Sequence, residues 1–287
     1  MTIRTLIQAA CALGFIAAAL PAAHANTTCA GQQGAGSTPN RTVFGVTADQ
    51  RLVGFRSCQP GKSQSVGSVS GLGGADTAVV AIDFRVQDGL LYALGNGGGL
   101  YTVDVAAAVA TKVSQVSTAL DGTRFAIDFN PAANALRIVS DTGQNLRHPF
   151  ALPEPRVTFV DPSLNYTPGV PAAGIVAIAY TNNDLDANTG TTLVDLDTNL
   201  NQAVLQAPAN NGSLTLTGKL GVDPDSAIGF DIHSRKTAGM ATANVGFASM
   251  NVAGVAQFYR VDLLTGRASL IGALAQPLVD IAVTLDP

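Results

Sequence analysis

The strongest constraint on this chain is that it repeats itself. Ala81-Ile82-Asp83-Phe84 recurs as Ala126-Ile127-Asp128-Phe129, and weaker copies stand at Ala177-Ile178-Ala179-Tyr180, Gly229-Phe230-Asp231-Ile232 and Asp280-Ile281-Ala282-Val283. At the third residue of each copy the spacings are 45, 51, 52 and 51. Fixed-period similarity on this scale marks stacked or radial supersecondary units. Short apolar runs joined by turns follow each copy, such as Leu90-Tyr92-Leu94 and Leu100-Tyr101-Val103. About 50 residues holding four short strands is the size of one propeller blade. The repeat therefore predicts an all-β propeller of five blades.

The ends predict how the ring closes. Thr42-Val43-Phe44-Gly45 aligns with the second strand of the following unit, Phe44 with Tyr92, so the N-terminal unit lacks a first strand. The last copy, within 278–285, is a first strand with nothing after it. Pairing the two completes one sheet and removes an exposed edge. Glycines punctuate the hairpins at Gly95-Asn96-Gly97-Gly98-Gly99, Asp88-Gly89 and Asp141-Thr142-Gly143. The longest irregular connections are the proline-rich 149–174 and the shorter 206–212, and long loops on a rigid ring are where binding usually resides.

Composition agrees. Of 20 acidic residues only Glu154 is a glutamate, and there are four lysines, so the charged helix formers that a bundle needs are absent. Residues 1–25 read as an export signal: Arg4, an apolar stretch from Leu6 to Leu20, then Ala23-His24-Ala25 before Asn26. Residues 26–40 form a lead-in and 41–287 the single propeller domain. The apolar stretch of the leader is too short to span a membrane comfortably, and no later stretch is long enough. Without the leader the chain carries 15 basic and 20 acidic side chains and no basic run, which excludes nucleic-acid binding through phosphate neutralisation. A monomer in the periplasm or medium is expected. Two cysteines remain in the exported chain, Cys29 and Cys58, and an even pair in that compartment is expected to form a disulfide.

Several motifs fail. Pro60-Gly61-Lys62-Ser63 has Arg56 where a phosphate loop needs glycine, the 95–99 glycines have Leu100 where a dinucleotide fingerprint needs its third, and no G-x-S-x-G, H-E-x-x-H or C-x-x-C occurs. Three sets of polar residues stand out. Asp83, Asp128 and Asp231 occupy equivalent places in first strands, which lie nearest the axis, so they either cluster at the channel around a cation or act as buried rivets between blades. Ala179 and Ala282 at the other two places favour rivets. Asp184, Asp186, Asn188 and Asp195 stand at places 1, 3, 5 and 12 of a possible Ca²⁺ loop, although Gly190 falls one place late. Arg137, Asp141, Gln144, Asn145 and Arg147 project from the hairpin of the third unit, either as a recognition surface or as a fastening network in which the arginines pair with the repeated aspartates.

Phe129-Asn130-Pro131 followed by Leu136-Arg137-Ile138-Val139-Ser140-Asp141-Thr142-Gly143-Gln144-Asn145-Leu146-Arg147 resembles the signature of a family of exported bacterial proteins catalogued as a domain of unknown function. The resemblance extends to Tyr92-Ala93-Leu94-Gly95, Ala179-Tyr180-Thr181-Asn182, Thr192-Leu193 and Gly221-Val222-Asp223, covering about residues 41–285, with departures at Pro149–Pro155 and Ala106–Ala110. It implies a secreted propeller-like repeat domain and no particular activity. The expected function is a binding or interaction scaffold without catalysis, for a protein, glycan or small-molecule ligand. The competing class is a cation-dependent hydrolase, lactonase-like, acting at the central channel through Asp83, Asp128 and Asp231.

Overall fold

The structure, a computed structural model, describes residues 39–286, which form 22 β-strands and a 3₁₀ turn at Ala209–Asn211, with no α-helix among them. The leader and Cys29 lie outside the described residues, and so does the expected Cys29–Cys58 pairing. The strands begin with β1 (Thr42–Val46), β2 (Arg51–Arg56) and β3 (Gln59–Ser68). The second blade holds β4 (Val79–Phe84), β5 (Leu91–Gly95), β6 (Gly99–Val103) and β7 (Ala110–Gln115). The third holds β8 (Phe125–Asn130), β9 (Ala135–Ser140), β10 (Asn145–Pro149) and β11 (Phe159–Val160). A separate hairpin, β12 (Asn165–Thr167) and β13 (Val170–Pro171), precedes the fourth blade: β14 (Ile175–Tyr180), β15 (Leu193–Asp197), β16 (Gln202–Gln206) and β17 (Leu214–Lys219). The fifth is β18 (Pro224–Thr237), β19 (Met240–Val252), β20 (Val255–Val261) and β21 (Ala268–Ala273). The last strand, β22 (Asp280–Val283), completes the first blade in the order β22-β1-β2-β3.

The expected five blades and their closure are both present. β22 pairs antiparallel with β1, Val43 opposite Val283 and Val46 opposite Asp280. The five first strands neighbour one another in a ring, β22 to β4, β8, β14, β18 and back to β22. The glycine punctuation falls where expected, with Gly98 between β5 and β6 and Gly143 between β9 and β10 both at positive φ.

The core is divided among the blade interfaces. Five groups of buried apolar residues lie between successive blades, one per interface. This follows from strand geometry, because successive side chains leave opposite faces of a sheet. In β4, Ile82 packs towards the first blade and Ala81 towards the third. In β8, Ile127 packs towards the second blade and Ala126 towards the fourth. A first strand is thus covered on both sides, so IVAIAY reads as a continuous apolar run and VVAIDF as one broken only by Asp83, without polar alternation. The β12–β13 hairpin is fastened by Tyr166, whose hydroxyl donates to Asp197 Oδ2 (2.5 Å) and accepts from Gln202 Nε2 (3.0 Å).

Candidate functional site at the propeller axis

The repeat that gives each first strand its apolar faces also aims its aspartate. Asp83 shares the parity of Ala81 and Asp128 that of Ala126, so each carboxyl faces the next blade around the ring. The Phe129 N–H donates to Asp83 Oδ2 (2.8 Å), the Tyr180 N–H to Asp128 Oδ1 (3.0 Å), and the Val283 N–H to Asp231 Oδ2 (2.5 Å). These are rivets from one first strand to the next. They are made to backbone alone, and none of the ion pairs among the described residues includes any of the three.

The same carboxyls also converge. One oxygen each from Asp83, Asp128 and Asp231 lies within 4.8 Å of the others, and the three residues are 6%, 2% and 4% exposed. Burial, then the charge of Asp231, pushes the Asp83 carboxyl well above the ordinary carboxylate range. Burial and the charges of Asp83 and Asp231 do the same to Asp128. Burial raises Asp231 to about 6 against the hydrogen bonds from Val283 and Ile232. Like charges this close and this dry cannot all ionise without a positive partner. Val80, Phe125, Val176, Ile228 and Val279, from the five first strands and their approaches, line a recess of about 60 Å³ together with Thr123 and Arg124. Each of these five apolar residues stands three residues before the third position of its repeat.

A fourth aspartate belongs to this ring and escapes the repeat. Asp280 is 5% exposed, and its Oδ2 accepts from the Ile82 N–H at 2.9 Å. It performs at the first interface the task that Asp83 performs at the second, two residues earlier than the aligned Ala282. Strand parity was the available signal, since residues 280 and 282 share a face. At Ala179 the fourth blade lacks the carboxyl, and the contact to β18 is made in the opposite sense by Asn183 beyond β14: its Nδ2 donates to Ile232 O and its N–H to Ser234 Oγ.

The other two candidate sets resolve differently. The four proposed calcium-loop residues are not brought together. Asp184 Oδ2 accepts from the Ala241 N–H and its Oδ1 from Asp186 N–H, while Asp186 Oδ1 accepts from Asn188. Asp195 sits in β15, fully buried, and burial pushes its carboxyl well above the ordinary range against the pull of Arg137. The carboxylates of Asp184 and Asp186 are spent on turns and on the start of β19, and Asp195 faces the third blade apart from them. A calcium loop needs them turned inward together.

The third-unit cluster is a fastening network. Asp141 accepts from Thr123 N–H and Oγ1 (2.9 and 2.6 Å), and Gln144 bonds Asp121 N and Ala119 O. Asn145, 1% exposed, donates to Pro162 O and Ala209 O. Arg137 and Arg147 pair with Asp161, which corrects the expectation that they partner the repeated aspartates. Sequence reading also missed a relay between the second and third blades: His148 Nε2 to Ser114 Oγ and Nδ1 to Thr158 Oγ1, both 2.9 Å, with Thr158 Oγ1 accepting in turn from the Ser117 N–H. Burial holds the His148 imidazole down at about 4, so it is neutral near pH 7.

Among solved structures, a protein of unknown function from Bacteroides thetaiotaomicron is similar at TM-score 0.46 and 12% identity, covering 87% of this chain and 68% of its own. An auxiliary nutrient binding protein from Bacteroides ovatus gives 0.41 and 12%, covering 78% and 57%, and a protein from Lactobacillus plantarum 0.40 and 13%, covering 83% and 67%. No curated protein matches. The model of the family described as "Domain of unknown function (DUF4394)" matches residues 51–282, most of the chain, and the chain belongs to that family.

Proposed function

We propose that the protein is an exported propeller that acts by binding and not by catalysis, and that Asp83, Asp128 and Asp231 hold a hard divalent cation of the calcium class on its axis. One observation carries this reading: three buried carboxyls within 4.8 Å of one another with no basic side chain paired to them. The donor set is all oxygen, which selects calcium, magnesium or manganese over zinc or copper. Calcium takes about 6–8 oxygens, so water and backbone carbonyls would complete the shell. Carboxyls this closed to solvent suit an ion better than a substrate bond, which must reach the reacting oxygens to be attacked. A cation there would draw the aspartates of three blades to one point. Export rests on the leader read in residues 1–25, and a mature N-terminus at Asn26 is its expected mark.

The test is elemental analysis of protein purified from its native compartment, with melting followed before and after a chelator. One equivalent of divalent metal per chain, a lower Tm on chelation and recovery with calcium are expected. Metal-free protein whose melting ignores both chelator and calcium overturns the reading.

A further inference from the structure

Away from the axis, four buried polar residues meet between the third and fourth blades. Arg137, Asn145, Asp195 and Gln206 are 2%, 1%, 0% and 2% exposed, beside the apolar group that includes Val139, Ile178, Leu193 and Val204. Asn145 Oδ1 accepts from both Arg137 Nη1 (2.8 Å) and Gln206 Nε2 (3.3 Å), which sets a side chain of each blade around one oxygen. Arg137 Nη1 also pairs with Asp161 (2.7 Å), and its Nη2 donates to Asn210 Oδ1 (2.6 Å). The hydrogen-bond account does not close. Arg137 Nε, both carboxylate oxygens of Asp195 and Gln206 Oε1 are buried without a partner. Arg137 acts on Asp195 through its charge but is not paired to it directly.

Buried polar atoms are as a rule hydrogen-bonded to protein or to ordered water, and leaving them dry is costly. Here three acceptors and one donor are open at once. Protonating Asp195 supplies a single donor, and the Tyr180 hydroxyl, which bonds the Arg137 side chain, still leaves its Nε unmet, so the account stays open. The charge of Arg137 is already met by Asp161, so the missing partner needs no charge. It must donate more than once and accept from a guanidinium, and it must be small. Water meets all three requirements.

We propose that this junction is a closed hydration site, in which one or two ordered water molecules bridge Arg137 Nε to Asp195 and Gln206. The segments around Asp161–Pro162 and Ala209–Asn210 form its roof, held by the bonds from Arg137 and from Asn145 Nδ2. The water is then what couples Arg137 to the fourth blade. This inference is independent of the axial cation.

A high-resolution crystal structure of the unaltered protein tests it without a variant. Ordered water within hydrogen-bond distance of both Arg137 Nε and Asp195 is the expected result, and Arg137 lying directly on the Asp195 carboxylate with nothing between them overturns the proposal. Asp195→Leu gives a second reading in solution. A Tm lower by about 5 °C is expected, because the substitution strands the water and Arg137 Nε. A higher Tm also overturns the proposal, since it would mean that Asp195 had been a dry and unpaired burden.

Discussion

The Ile82 N–H donates to Asp280 Oδ2 at 2.9 Å, joining residues 198 positions apart. The closing strand β22 therefore reaches the acidic ring, bringing Asp280 beside the first strand of the second blade. Asp280→Ala leaves a buried N–H unsatisfied and is expected to lower stability by about 1–3 kcal/mol. Asp280→Asn keeps an acceptor in place and should cost less. Chemical denaturation of the two variants against the unaltered protein measures the difference, and equal losses would mean that the contact contributes nothing.

Asp128→Asn should change the sign of its effect with metal. In chelator it relieves repulsion among three buried carboxyls and should raise Tm. In calcium it removes a charged ligand and should lower Tm relative to the unaltered protein. Paired thermal scans in the two buffers read this out, and a shift of the same sign in both would argue against a cation at the axis.

Asn145 and Arg147 lie two residues apart and should behave differently. Asn145→Ala removes an acceptor shared by Arg137 and Gln206 and two donated bonds to backbone, all in a buried place, so a loss of about 2–4 kcal/mol is expected. The Arg147 side chain is 29% exposed, and Asp161 keeps Arg137 if it is lost, so Arg147→Ala should cost about 1 kcal/mol or less. Urea unfolding compares them directly.

His148 sets a pH dependence whose sign can be worked out. Its imidazole is at about 4 in the folded protein and near its ordinary value of 6.5 when unfolded. Above pH 6.5 both states are neutral and the contribution is complete. As pH falls, the unfolded chain takes up the proton first, so stability is lost between pH 6.5 and about 4 and then levels off. The loss is on the order of 3 kcal/mol at its limit. His148→Gln should remove this component, measured as a shallower fall in unfolding free energy between pH 7 and pH 4.

How much of this was legible in the sequence depends on the range of the interaction. The first strands announced themselves in Ala-Ile-Asp-Phe and its copies, because a strand covered on both faces must be apolar apart from the one repeated aspartate and the ring repeats the same demand at each blade. The missing first strand before Phe44 and the surplus one at Ile281 predicted the seam. Asp280 did not stand out, since alignment by the repeat places Ala282 in register and hides a carboxyl that does the same work two residues earlier. The pairing of Arg137 with Asp161, and the relay from Ser114 through His148 to Thr158, join loops and strands of unlike sequence and leave no periodic trace.

The sequence by itself determined the blade count, the strand order within each blade and the closure, all of which follow from a short strand motif and turn residues repeated at nearly constant spacing. Only the tertiary structure decided what the polar residues do. Whether a carboxyl becomes a rivet, a member of an axial cluster or an unpaired group between blades depends on which backbone N–H or side chain the next blade places within about 3 Å of it. That distance is set by how five sheets pack around one axis, and no single segment of the chain carries it.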